Sequence, residues 1–212
     1  MINLLLQELK IQRKVNNLTK YSVLFFLFSI VCLALVSSSD EIQKYGILFS
    51  LLCIPLSALS ISNNLFKNDI DDGTLEIQLT TAPSWKIVYA KYGALAIIQI
   101  LSFAIISPFL ALIFNINLVQ TIFLFATASI LIKSNSALVT LISSIQAYFR
   151  SNTSFLAVLI IPVILPNIIL SGMFIQNFEH YYILFIMIGI SMIIIPASLF
   201  LSAYLIDNIY NI

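Results

Sequence analysis

Charge is scarce in this chain. Only 9% of its 212 residues are Asp, Glu, Lys or Arg, against about 25% in an ordinary soluble domain. That deficit excludes a soluble globular enzyme, and a 60% apolar content excludes a disordered chain. Ten basic and nine acidic residues nearly cancel, so no basic surface is available for nucleic acid. Glycine is rare too. Gly46, Gly73, Gly93, Gly172 and Gly189 are too scattered to cradle a phosphate, and no G-x-x-x-x-G-K run occurs. The chain therefore binds no ATP through a P-loop of its own. The single histidine, His180, makes no His-based metal site by itself. Neither H-E-x-x-H nor G-x-S-x-G is present, which argues against a membrane protease or hydrolase. Cys32 and Cys53 both sit inside apolar runs and read as small packing residues, without a disulfide framework.

What the chain has is grease. Its mean hydropathy is +1.05. A membrane-spanning helix needs roughly 20 apolar residues, and lipid admits only helices or closed barrels because it offers backbone amides no partner. Barrel strands alternate in polarity over about ten residues. The apolar runs here are continuous and longer, so they read as helices. The expected spans are 21–38, 46–66, 87–114, 118–149, 155–175 and 181–206. The fifth carries Pro162 and Pro166, the sixth Pro196. The fourth is interrupted by Lys133-Ser134-Asn135-Ser136. As one helix it is about 48 Å long, more than the ~30 Å hydrocarbon core. Split into halves of about 14 residues, it would span poorly. One long or broken helix is the better reading, giving six spans in a single membrane domain.

Basic residues set the orientation. Lys10, Arg13, Lys14 and Lys20 precede the first span, Lys67, Lys86 and Lys91 flank the loop after the second, and Arg150 follows the fourth. These eight fall on one side, Lys44 lies in the opposite, very short loop and Lys133 within a span, so both termini are expected in the cytoplasm. The first run is read as a retained span rather than a cleaved signal, because a polar stretch of about 20 residues precedes it. In that stretch Ile2, Leu5, Leu6 and Leu9 recur at helical spacing while Glu8, Lys10, Arg13 and Lys14 stay polar. This predicts an amphipathic helix lying in the membrane interface.

The densest polar segment is the cytoplasmic loop 67–86, with Asp69, Asp71, Asp72 and Glu76. A calcium-loop reading fails, because Gly73 comes one position early and Thr80 stands where the closing Glu belongs. Residues 74–80 alternate in polarity like a strand. A lone strand would leave its backbone unpaired near lipid, whereas a short interfacial helix satisfies its own. Pro83 would end such a helix, and Trp85 could anchor the return at the interface.

The run Leu65-Phe66-Lys67-Asn68-Asp69-Ile70-Asp71-Asp72-Gly73-Thr74-Leu75-Glu76, followed by Pro83 and Lys91, resembles the loop of the heme exporter B family. That family provides the permease subunit of the cytochrome c maturation ABC transporter. The Gly-Thr-Leu-Glu core is similar to that of the wider type-2 ABC exporter permeases. The stretch from Phe155 to Pro166 resembles the family's two-proline fifth span, so the likeness covers essentially the whole chain. One departure stands out. The family generally has small residues, glycine, threonine and proline, in mid-fourth span, where this chain has Lys133. Burying a lysine there costs about 2.5–3.5 kcal/mol on insertion scales. No acid lies in any expected span. Lys133 should therefore face a subunit interface or aqueous cavity, pair with an acid from another subunit, or snorkel. A shifted span boundary would instead leave it interfacial.

The resemblance implies an all-α integral membrane protein with six transmembrane helices, an N-terminal interfacial helix and a cytoplasmic coupling helix. It implies a non-catalytic subunit working with a separate ATP-binding ABC subunit, other cytochrome c maturation membrane subunits and a heme chaperone. Two permease subunits per complex are expected. Asp69, Asp71, Asp72, Gly73, Thr74, Leu75, Glu76 and Leu79 are the expected ATPase-coupling residues. Leu75, Ile77 and Leu79 would fill a groove on the ATPase or the membrane interface, and the acids would fix register. Lys91 and Lys133 are candidate intramembrane or gating residues. No cofactor is expected on this chain itself, with ATP on the partner and heme as cargo. Release of a heme-loaded chaperone is preferred to heme export, because the chain shows no heme-ligand cluster and Trp85 is its only tryptophan; His180 is the lone candidate axial ligand. The bacterial inner membrane is the expected location, with a mitochondrial inner membrane as the alternative. The competing functions are a type-2 permease for a lipid, polysaccharide or drug, and a non-transport assembly scaffold.

Overall fold

The computed structural model describes residues 2–14, 23–24, 27–28, 31, 48–57, 65–149, 160–176 and 180–209. The described residues form helices and turns, without strands. They build α1 (Ile2–Lys14), α2 (Leu48–Ser57), α3 (Lys67–Asp71), α4 (Thr74–Thr81), α5 (Ser84–Ile113), α6 (Leu118–Tyr148), α7 (Ile160–Gln176) and α8 (Tyr182–Asp207). Three of them, α5, α6 and α8, are long and apolar enough to cross a membrane. The expected first span, 21–38, lies outside the described residues apart from isolated positions, and 58–64 and 151–159 lie outside them as well.

The fourth apolar run is one continuous helix of 31 residues. Its interrupting polar residues do not break it: the Ser134 and Thr140 hydroxyls bond back to their own helix, and Ser136 bonds across to α5. Ser134 Oγ donates to Ile130 O and Leu131 O, and Thr140 Oγ1 to Ser136 O and Ala137 O. Such bonds satisfy a hydroxyl where no water can. The helix starts at a capping box, in which the Asn117 side chain takes the backbone N–H of Gln120 and the Gln120 side chain takes the N–H of Asn117 at 3.1 Å. Asn115, with φ +48°, makes the tight turn from α5 that lays α5 and α6 side by side.

Helix α6 is the spine. It packs most extensively on α8, then on α5 and α7. One apolar cluster joins α2, α5, α6 and α7 through Leu51, Ile54, Phe103, Ile106, Leu131 and Ile168. There α2 meets α7 so closely that a Cβ on Gly172 would lie 2.2 Å from Leu48 Cδ2, so only glycine fits without displacing that leucine. A second cluster gathers Leu65, Phe66, Leu75, Ile87, Leu199 and Ile206. It brings the short helices α3 and α4, the start of α5 and the end of α8 to one end of the bundle. Helix α1 packs on α5 at that same end.

Candidate functional site

The site is built at that shared end, where α3 and α4 are joined by a two-residue turn. Gly73 takes φ +69°, the left-handed conformation that stops α3 and starts α4. Thr74 Oγ1 then donates to Asp69 O at 3.3 Å and ties the turn together. Ala82 is extended, and Pro83 leads directly into α5. The segment is helical, so the alternating pattern of residues 74–80 does not make a strand. The reason is the one that favoured the helix: an isolated strand would strand its backbone groups.

Lys91, two turns into α5, is 2% exposed. Its ammonium donates to Glu8 Oε2 at 3.3 Å, to the Leu65 carbonyl oxygen at 3.2 Å and to Asp69 Oδ2, and Glu8 Oε1 lies 3.3 Å away as an ion-pair partner. It also lies 5.2 Å from the centre of the Phe66 ring. One cation thus pins together α1, the turn before α3, α3 and α5. Lys91 stands at the root of the hairpin. Its partners are what sequence reasoning missed: Glu8 was expected on the water-facing side of an amphipathic helix, but it is 5% exposed and turned onto α5. The periodicity of α1 could not reveal this, because it counts apolar residues and not the one acid with a buried cation opposite it.

A cleft of about 410 Å³ opens beside this triad, between α1 and the α3–α4 turn. Glu8, Asp69, Asp71, Asp72 and Gln12 line it. Four carboxylates face one ammonium there. Gln12 is 2% exposed, and neither of its amide atoms has a partner among the described residues. The outer surface of the segment is exposed at Asp71, Asp72, Thr74, Glu76 and Ile77. Leu75 is fully buried, and Leu79 packs partly buried beside it in the chain's own second cluster. Of the three apolar residues expected to fill a partner's groove, only Ile77, 66% exposed, is available for one. The pattern of α4 has two apolar sides, and tertiary packing uses one of them.

Burial pushes the Glu8 carboxyl above its usual 4.5; the Lys91 ammonium opposes that shift and the Asp69 carboxylate adds to it. The folded chain holds this proton more tightly than the unfolded one. Its stabilising contribution is therefore fully present below 4.5 and is lost as pH rises through the raised value. Glu8→Gln should flatten that slope. Thermal unfolding in detergent, followed from about pH 4.5 to 7, checks it: the wild type should lose ground to the variant as pH rises. Parallel curves would remove Glu8 as the titrating group.

A second polar layer lies half-way along the bundle. Ser136 Oγ donates to Gln99 Oε1 at 3.1 Å, joining α6 to α5. Asn167 Nδ2 donates to Ser134 Oγ at 3.4 Å, joining α7 to α6. Ser134, Asn135 and Ser136 are fully buried, whereas Lys133 is exposed. His180 is exposed just before α8, its ring 5.4 Å from that of Tyr182. Among the described residues no three His, Cys, Asp or Glu side chains gather as a metal site would need.

Long apolar helices, a polar layer within them and a charged, braced hairpin at one end define a helical integral membrane protein. The chain belongs to the CcmB protein family, the heme exporter B family of membrane permease subunits, which matches residues 1–206. It is 38% identical to an uncharacterized protein of Rickettsia conorii and 39% identical to one of Rickettsia prowazekii. Each alignment runs over 209 residues and covers 99% of this chain and 97% of the relative.

Proposed function

We propose that this protein is the transmembrane permease subunit of an ABC transporter complex required for c-type cytochrome biogenesis. It couples ATP hydrolysis on a separate subunit to heme export or to release of a heme-loaded chaperone. The observation that carries this reading is the mounting of the α3–α4 hairpin. Its root is fixed by Lys91 and Leu75, while its outer rim of Asp71, Asp72, Glu76 and Ile77 is open. A lever needs both: a rim that a partner can grip, and a root that transmits the push instead of bending. The push becomes work only if the rim binds the ATP-bound and ATP-free partner differently.

The acidic rim matches a partner surface rich in Arg and Lys, with charge serving register and specificity more than affinity. The second subunit hydrolyses the nucleotide, and this chain contributes no catalytic group. Helix α1, the hairpin and the end of α8 share one end of the bundle, which we place in the cytoplasm of a bacterium with the spans in its inner membrane. Other maturation subunits and a second permease copy would complete the complex.

The test is Asp72→Arg together with Glu76→Arg. Both side chains are exposed, so the fold should be unaffected within about 0.5 kcal/mol per site. The expected result is a complex whose ATPase still turns over while c-type cytochrome yield falls by about tenfold or more, as inverted rim charges disrupt docking. Normal cytochromes in this variant would sink the lever.

A further inference from the structure

The cleft between α1 and the α3–α4 turn holds more acceptors than the chain's own donors use. Its volume of about 410 Å³ is that of a small-ligand pocket. Lys91 is the one basic residue among those that line it, against the carboxylates of Glu8, Asp69, Asp71 and Asp72. An ammonium has three donors, and Lys91 commits them to Glu8 Oε2, the Leu65 carbonyl oxygen and Asp69 Oδ2. With all three spent, it has none left for the exposed carboxylates Asp71 and Asp72.

Two amides lining the cleft carry the same surplus. Gln12 of α1 is 2% exposed, and its Oε1 and Nε2 both lack a partner among the described residues. The Gln78 side chain of α4 hydrogen-bonds the Glu8 carboxylate. A carboxylate accepts, so the Gln78 nitrogen is spent there, and its Oε1 is buried without a partner among the described residues. A buried amide oxygen is costly to leave unmatched, and these two line a cleft already in excess of carboxylate. What complements such a lining is a cation rich in donors. A metal ion is a poor fit, because the carboxylates do not converge on one point as ligands. An ammonium brings three donors, whereas a guanidinium brings five in one plane, has no acceptor and is more weakly hydrated. Ile11 and Leu65 supply an apolar wall for its alkyl stem.

We propose that this cleft is a socket for a guanidinium head on an apolar stem, held by the carboxylates of Asp71 and Asp72 and by the amide oxygens of Gln12 and Gln78. The head comes from a free small cation or from an arginine of a neighbouring subunit, and the chemistry of the socket is the same for both. Filling it ties α1 to the hairpin from the open side, as Lys91 does from within. The socket goes beyond the lever reading, because it needs only this chain.

The probe is butylguanidinium, with butylammonium as a control of equal charge and stem. Binding is read by saturation-transfer NMR on the full chain in phosphatidylcholine nanodiscs, without nucleotide or other subunits and at fixed ionic strength. The wild type should bind butylguanidinium about tenfold more tightly than butylammonium, as planar recognition by several acceptors requires. Gln12→Leu should erase that preference while melting no lower than the wild type, since it removes an unmatched buried amide. Asp72→Asn should weaken binding of both cations. Equal binding of the two cations by the wild type overturns the proposal with no variant needed, because it reduces the cleft to diffuse attraction by acids. Preference retained in Gln12→Leu overturns it as well, and so does unchanged binding in Asp72→Asn. Repeating the titration with the nucleotide-hydrolysing subunit bound names the source of the head. Displacement of the probe assigns it to an arginine of that subunit, and retention assigns it to a free cation. Because the first measurement involves no ATPase, a failure of the lever reading leaves it standing.

Discussion

Lys91→Met should cost about 3–5 kcal/mol and detach the hairpin from the bundle, because it leaves two carboxylates facing each other with their cation removed. Glu8 is 5% exposed, Asp69 is half-buried, and the Leu65 carbonyl loses its donor at the same time. The expected phenotype is a sharp drop of the protein in the membrane and loss of c-type cytochromes. The origin of the loss is checked by combining Lys91→Met with Glu8→Gln and Asp69→Asn. If the uncompensated charge is what hurts, the triple variant recovers abundance, since a neutral cluster no longer has two anions to bury. Abundance that stays low in the triple variant would show that the ammonium acts by bridging three elements and not by balancing charge. Lys91→Arg should fall between, because the planar fork does not fit a pocket shaped by a carbonyl, two carboxylates and the Phe66 ring.

Leu75→Ala should have the second-largest effect, about 2–5 kcal/mol for a fully buried leucine truncated in a packed cluster. The informative comparison is Ile77→Ala, two residues away on the exposed side of the same helix. That change should alter stability by no more than about 0.5 kcal/mol and should instead weaken association with the nucleotide-hydrolysing subunit. Hydrogen exchange across residues 65–81 separates the two: Leu75→Ala should speed it, and Ile77→Ala should not. If both variants weaken association without changing exchange, the root of the hairpin is not held by Leu75, and the rigid-lever account fails.

The legible part of this protein was its hydropathy. Continuous apolar runs announce helices in lipid regardless of what they pack against, since every backbone bond of a helix is internal. The long α6 was readable for that reason, polar interruption included, and so was a short helix in the loop that ends before Pro83. The family resemblance was readable from the Gly-Thr-Leu-Glu core and the proline pair. The anchoring of the hairpin was not. Glu8 and Lys91 are 83 positions apart, and no local period connects them. Leu75 and Ile77 look equivalent in a list of apolar residues, and only the packing of α4 against its neighbours in the second cluster decides which is buried.

The amino-acid order by itself determined that this chain lives in a membrane as a bundle of helices with one charged hairpin, because transfer free energy and backbone hydrogen bonding are set residue by residue along the chain. The tertiary structure alone decided that Lys91 is a buried clamp and Lys133 an outward-facing charge. Two lysines in similar apolar surroundings received opposite roles, since whether an ammonium meets a carboxylate depends on which distant helix folds against it.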